Sequence, residues 1–283
     1  MKKKISVSTL IFTILFLVGL SVVLYPTVAN WWNNGRQTKA IATYKETVAQ
    51  MADTNDEEIF EAARKYNEQL YSIFAPFTNF DQIKGYDDLL NISGTGIMGY
   101  ISIPSIKVEL PIYHGTSEGV LQIASGHIQG SSLPVGGENT HAVISGHRGL
   151  KSARLFTDLD KMVVGDTFTI NILNEVLTYE VEKILIIEPD ETDKLAVIPD
   201  GDYVTLMTCT PYGINSHRLL IRSHRIETEY QNRLKISADA VMMDRMKVVP
   251  FIAVPIILIL VIFWFVTSGR KHGDLPINPK YKI

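Results

Sequence analysis

A single cysteine, Cys209, serves the whole 283-residue chain. That scarcity excludes an intrachain disulfide framework and any zinc site needing several thiolates. No G-x-x-x-x-G-K-[ST] phosphate loop occurs, and no carboxylate cluster has calcium-loop spacing. No metal and no cofactor are therefore expected. Neither sign of charge dominates: the net charge is -3, and no basic stretch is interleaved with aromatics as nucleic-acid binding would require. Gly94-Thr95-Gly96-Ile97-Met98-Gly99 does spell G-x-G-x-x-G. The residues after it, Tyr100-Ile101-Ser102-Ile103-Pro104, read as a strand ended by proline, whereas a dinucleotide site needs a helix there. The match is read as chance, in a flexible lead-in. Internal repeats and low-complexity tracts are also missing.

Long apolar runs are present, and there are two. Residues 5–25 carry no charge and follow Lys2-Lys3-Lys4; residues 248–267 form a second run, followed by Arg270 and Lys271. Each is about 20 residues, enough to cross a hydrocarbon core about 30 Å thick. Positive charge at the outer end of both places both termini, residues 1–4 and 268–283, in the cytoplasm and the middle of the chain outside the membrane. The first run is long for a signal peptide despite a passable cleavage site at Thr27-Val28-Ala29, so an uncleaved anchor is expected.

Between the runs the pattern changes twice. Asn30-Trp31-Trp32-Asn33-Asn34 sets aromatics where an interfacial belt would place them. Two amphipathic helices follow, one burying Ile41, Tyr44, Val48 and Met51, the other Ile59, Ala63, Tyr66 and Leu70. Thr54 and Glu57 stand at capping-box spacing for the second. This hairpin is too small to form a core alone and is expected to pack on the main domain. Residues 72–80 then place three phenylalanines in a helix-breaking stretch, as a tucked linker or as the cover of an apolar cleft. From Gly96 onward short apolar strands are predicted at residues 98–104, 108–112, 142–145, 167–172, 177–187, 203–208 and 217–221, which suggests an all-β barrel or sandwich.

The chemistry concentrates at residues 202–225. Tyr203-Val204-Thr205-Leu206-Met207-Thr208 reads as a buried strand ending at Cys209, Thr210 to Ser216 as a loop, and His217-Arg218-Leu219-Leu220-Ile221-Arg222 as a second strand. If the strands pair, Cys209 and Arg218 lie side by side, with Cβ atoms about 5 Å apart. Arg222 has the same parity but lies about 13 Å further along at roughly 3.3 Å per residue. A cysteine nucleophile needs an imidazole to favour its thiolate and supply a general acid. Of seven histidines, His147 follows an apolar strand end, and His127 has the same Ser-Gly-His lead-in. The residues alone leave both open. His217 faces away from Arg218; His114, His141 and His224 read as ordinary, and His272 lies in the tail. The other reading of Cys209 is a small buried hydrophobe.

At these residues the chain resembles the sortases, membrane-anchored transpeptidases of Gram-positive bacteria. Thr205-Leu206-Met207-Thr208-Cys209 matches their T-L-x-T-C signature, Arg218 follows at the expected position, and Ser145-Gly146-His147-Arg148-Gly149 matches the histidine motif. The resemblance covers residues 97–225 and implies a mainly β fold: an eight-stranded sortase barrel over residues 81–235, with a helical hairpin and lid over residues 30–80. It also selects His147. The continuation Thr210-Pro211-Tyr212-Gly213-Ile214-Asn215, the second apolar run and the hairpin resemble the class C, pilin-polymerising sortases. That class implies pilin partners carrying LPxTG-like sorting signals and an acceptor pilin lysine. It implies attack by Cys209, proton transfer by His147, oxyanion binding by Arg218, and a lid with an Asp-Pro-aromatic motif over the site. Here the lid positions read Ala75-Pro76-Phe77, so the aromatic is present and the aspartate is not. Thr208 is a candidate for lining the substrate cleft or positioning the thiol, or is simply a buried strand threonine. A housekeeping sortase acting on peptidoglycan is the alternative. A sorted surface protein would need L-P-x-T-G ahead of the second apolar run, and residues 236–249 hold none; Leu133-Pro134-Val135-Gly136-Gly137 is a loop. A hydrolytic cysteine peptidase is disfavoured by an arginine where an amide oxyanion donor is usual.

Overall fold

The computed structural model describes residues 7–51 and 53–228, together with Ile257. Apart from Ile257, the second apolar run lies outside the described residues, as does the tail with His272.

α1 runs unbroken from Val7 to Gln50, so the apolar run and the first hairpin helix are one element, and it carries Pro26 inside it. Asn30 to Asn34 are helical. The apolar first half exposes its side chains, as a segment built to meet lipid does. Further along, Gln37, Ile41, Tyr44 and Val48 are buried at the spacing of one helix face. The Tyr44 hydroxyl donates to the Met98 carbonyl at 3.0 Å and accepts from the Leu173 N–H at 2.8 Å. One side chain thus staples α1 to the strand that holds Met98 and to the turn at Leu173. α2 (Asp53–Tyr71) buries Phe60, Ala63, Tyr66 and Leu70. Its Asn67 side chain pairs with Leu133 as a strand would, donating to the carbonyl at 3.1 Å and accepting from the N–H at 2.7 Å. The hairpin packs on the main domain as predicted. The helix already includes Thr54, whose side chain lies outside the described ones, and Glu57 pairs with Arg64.

The rest is a closed eight-stranded barrel. Its strands are β1 (Ile97–Ile103), β2 (Val108–His114), β3 (Ser125–His127), β4 (Thr140–Ser145), β5 (Thr167–Ile172), β6 (Glu175–Ile187), β7 (Asp202–Thr210) and β8 (His217–Ile226). They run in the order β1-β2-β3-β4-β7-β8-β6-β5, and β5 pairs back to β1. β2 with β3 and β4 with β7 are parallel; the other pairs are antiparallel. Every predicted strand is present. β3, with three residues and a central glycine, carries no periodicity that could have revealed it. Gly94 and Gly96 turn the lead-in at positive φ. Gly99 lies in β1 against the Asn171 carbonyl and has no room for a Cβ.

Alternate residues of β7 fill the barrel: Val204, Leu206 and Thr208 are buried, while Met207 and Cys209 are half-buried on the other face. That outer face carries a second apolar cluster of Val143, Ile187, Leu195 and Leu220, with Ile128, Leu185, Met207 and Phe77 packed on it. The candidate site lies over it.

Candidate active site

Register brings the chemistry together. In the antiparallel β7–β8 pair Cys209 faces Arg218, while Arg222 faces Thr205 and pairs with Glu182 at 3.0 Å. On the other side, parallel β4 aligns Ser145 with Met207. The ladder continues one step further, where Gly146 N–H donates to the Met207 carbonyl at 3.1 Å. Thr208 Oγ1 donates to the Gly146 carbonyl at 2.7 Å and fixes that step. Cys209 and Arg218 thus form one cross-strand row, and the segment that leads into His147, just past the end of β4, is tied to the strand carrying Cys209. Thr208, a candidate for the cleft lining, is 2 % exposed and sits behind the row, where it holds the peptide that leads into His147.

The three groups have different surroundings. Arg218 Nη1 donates to the carbonyls of Asn215 and His217 at 3.2 and 3.1 Å, which hold the guanidinium at the mouth of the β7–β8 loop. His147 Nε2 lies 3.7 Å from Glu118 Oε2, a residue on the short helix α4 (Glu118–Leu121). Gln122 Nε2 donates to the other oxygen of Glu118 at 2.5 Å. That amide, and after it the His147 imidazole, hold the Glu118 carboxyl below its ordinary range. Sequence reasoning missed Glu118, since nothing local distinguishes it from other exposed glutamates. Arg148 ties the histidine and cysteine segments together: it reaches Asp160 at 2.5 Å, Thr210 at 3.4 Å and the face of Tyr212 at 5.7 Å. Gly146 must be glycine, because a Cβ there would sit 2.7 Å from the Phe156 ring.

The rival histidine is elsewhere. His127 is the last residue of β3 and is fully buried. Its Nδ1 meets the Tyr86 hydroxyl at 2.9 Å and its Nε2 the Ser132 carbonyl at 2.8 Å. Burial pushes its pKa down to about 4. His141 is equally enclosed between the Ala196 carbonyl and Thr205 Oγ1, and burial pushes it down to about 4 as well. Both rings hold the fold.

A cleft of about 400 Å³ opens beside the row, lined by Phe77, Thr116, Ile128, Ile187, Met207 and Arg218 among others. Phe77 reaches it from α3 (Pro76–Asn79) and packs on the outer cluster. The backbone of Pro76 and Phe77 rests on Gly130, where a Cβ would come within 2.9 Å of it. Ala75 precedes α3 in the left-handed region, φ 49°, with no side-chain cap. Of the three phenylalanines, Phe77 and Phe80 line the cleft and Phe74 is 90 % exposed. Among the described residues no cluster of His, Cys, Asp or Glu could hold a metal ion.

Comparison with known proteins agrees with this geometry. Residues 101–226 match the sortase-domain family. Sortase C1 from Streptococcus agalactiae is 47 % identical, with a TM-score of 0.63; the match covers 68 % of this chain and all of that one. A sortase C structure from Streptococcus pneumoniae, described in terms of catalysis and pilin substrate specificity, is 44 % identical with a TM-score of 0.60, covering 67 % and 97 %. Among curated proteins, Sortase D of Bacillus subtilis is 32 % identical over 115 residues, 41 % of this chain and 55 % of that protein. The chain thus spans about half the length of the curated relatives it matches. With cysteine and arginine paired on a closed barrel, and the sortase C1 structure 47 % identical and matched over its whole length, the chain belongs to the sortase family of cysteine transpeptidases.

Proposed function

We propose that this protein is a class C sortase that joins pilin subunits covalently. Cys209 Sγ attacks the threonine carbonyl of an LPxTG-like sorting signal, and the peptide C–N bond breaks as a thioacyl bond forms. His147 gives a proton to the leaving amine and takes one from the incoming amine, a lysine of another pilin, whose attack frees the thiol and leaves an isopeptide bond. Arg218 donates to the carbonyl oxygen as it gains negative charge, a contribution of about 3–4 kcal/mol in comparable sites. The observation that carries this reading is the pairing of Cys209 with Arg218, which lines the cleft, beside the segment that leads into His147. The lid's aromatic supports the pilin-joining class, since Phe77 lines that cleft; Ala75 departs from the class in offering Arg218 no carboxylate. The S. pneumoniae relative, described by its pilin specificity, supports it too. α1 is read as the membrane anchor, with the barrel outside the cell and both termini inside.

Mass spectrometry of the enzyme with a sorting-signal peptide tests the scheme. An acyl adduct on Cys209 is expected once Phe77 is replaced by alanine, and none after Cys209→Ala. Acceptor competition separates the classes. A pilin lysine should outcompete a peptidoglycan amine, and the reverse preference would make this a housekeeping sortase.

A further inference from the structure

We infer that the loop of residues 149–154 lies in the lipid headgroup layer, so that α1 holds the catalytic rim at a fixed, shallow height above the bilayer. The inference rests on reading α1 as the membrane anchor.

The apolar run of α1 ends at Tyr25, and the first contacts between helix and barrel follow almost at once. Asn30 Oδ1 accepts the Arg154 N–H at 2.9 Å, and Asn33 Nδ2 donates to the Ser152 carbonyl at 2.8 Å. One turn later Gln37, buried, donates to the Ile123 carbonyl at 2.7 Å. At about 1.5 Å per residue, Asn30 lies at most about 8 Å beyond Tyr25. The headgroup layer on one side of a bilayer is about 5–8 Å thick. Tilt of the helix, or a bend at Pro26, shortens that height and cannot lengthen it.

The side chains at this level suit the layer. Trp31 and Trp32 are 47 % and 62 % exposed on α1, and aromatics of this kind favour the interface. Lys151 is exposed at the loop tip, and Arg154 is half exposed while paired to Asp158, which also holds Lys161. Anionic headgroups attract such cations. The loop also begins and ends at the site, since the Phe156 N–H donates to the His147 carbonyl at 3.1 Å. An acyl donor whose cleavage point stands close to its own membrane segment therefore meets the cleft at matching height.

The test uses the full chain in phosphatidylcholine–phosphatidylglycerol vesicles containing a headgroup-nitroxide lipid. Two labelled variants are made in a Cys209→Ala background, each carrying a bimane. Lys151→Cys probes the loop. Glu109→Cys probes a site beside Lys45 (3.6 Å), which lies about 30 Å along α1 from Tyr25 at about 1.5 Å per residue. Several-fold stronger quenching at position 151 is expected. Equal quenching at the two sites, or none at 151, would overturn the inference. Seven helix-forming residues inserted between Val28 and Ala29, in a Phe77→Ala background that keeps Cys209, should lift the barrel by about 10 Å. The insertion should slow transfer from a membrane-embedded donor at least tenfold and leave cleavage of a soluble signal peptide within twofold. An unchanged rate on the embedded donor would also overturn it. Release of the protein by alkaline carbonate would sink the anchor reading and this inference together. A Phe77→Ala chain that stays inactive on the soluble peptide would sink only the transpeptidase reading, because quenching needs no turnover.

Discussion

Cys209 and Arg218 meet because a short hairpin sets their register, and the guanidinium is then aimed by two carbonyls of its own loop. A lysine keeps the charge but cannot span those carbonyls and a developing oxyanion with one planar fork. Arg218→Lys should lower kcat/KM about 10²–10³-fold, the usual cost of losing an oxyanion donor. Single-turnover acylation measures it, and the thermal midpoint should not move, since the side chain lies at the barrel mouth. Tyr44 is the opposite kind of residue, remote from the chemistry and buried with both hydroxyl partners on backbone. Tyr44→Phe leaves the Met98 carbonyl without this donor and the Leu173 N–H without its acceptor. A loss of about 1–3 kcal/mol is expected in urea denaturation, with kcat unaffected.

Among the elements, the lid segment α3 depends least on polar contacts. Its seat is the outer apolar cluster and the bare backbone of Gly130, and Ala75 enters it in a conformation costing about 1–2 kcal/mol for an L-residue. Phe77→Ala removes the anchor, and Gly130→Ala removes the seat by driving a methyl into Pro76 and Phe77. Both should speed alkylation of Cys209 by a small thiol reagent. High salt should change the rate in the natural protein little, because no ion pair holds Phe77. Unaltered labelling in both variants would reduce Phe77 to a packing residue. α1 shows the limit of reading elements from composition: the apolar run and the first amphipathic helix read as separate segments, and they form one continuous helix.

Over the whole molecule, two buried imidazoles couple stability to pH. His127 and His141, both pushed down to about 4 by burial, stay neutral in the folded barrel, while an unfolded chain protonates them near 6.5. The unfolded state then binds more protons between those values, so stability rises with pH from about 4 to about 6.5 and is fully present above. Each ring contributes of order 3 kcal/mol across that window. Asp202, raised by burial, works in the opposite sense. Urea denaturation of the detergent-solubilised chain at stepped pH should give a positive slope approaching two protons, and a flat profile from 6.5 to 4.5 would contradict it. The same long-range architecture explains what the sequence left open. The cysteine–arginine pair was legible because its contact is local. The histidine was not, because a parallel pairing between strands 62 positions apart sets its place, as the Thr208–Gly146 bond records. Residues alone placed His147 ahead but left His127 as a rival, whose enclosure by Tyr86 and Ser132 also depends on distant segments. Glu118 escaped notice for the same reason.

Closure of the sheet carries a last implication. β1 has a neighbour on each side, β2 and β5, and the ring of eight continues without a gap. A sheet with no free edge has no row of spare backbone donors and acceptors on which a visiting chain could zip itself as an extra strand. A β-rich client brought to this surface gains nothing from its own backbone pattern. Discrimination between one client and another then falls to side chains around the mouth, which can diverge without disturbing the cylinder beneath them.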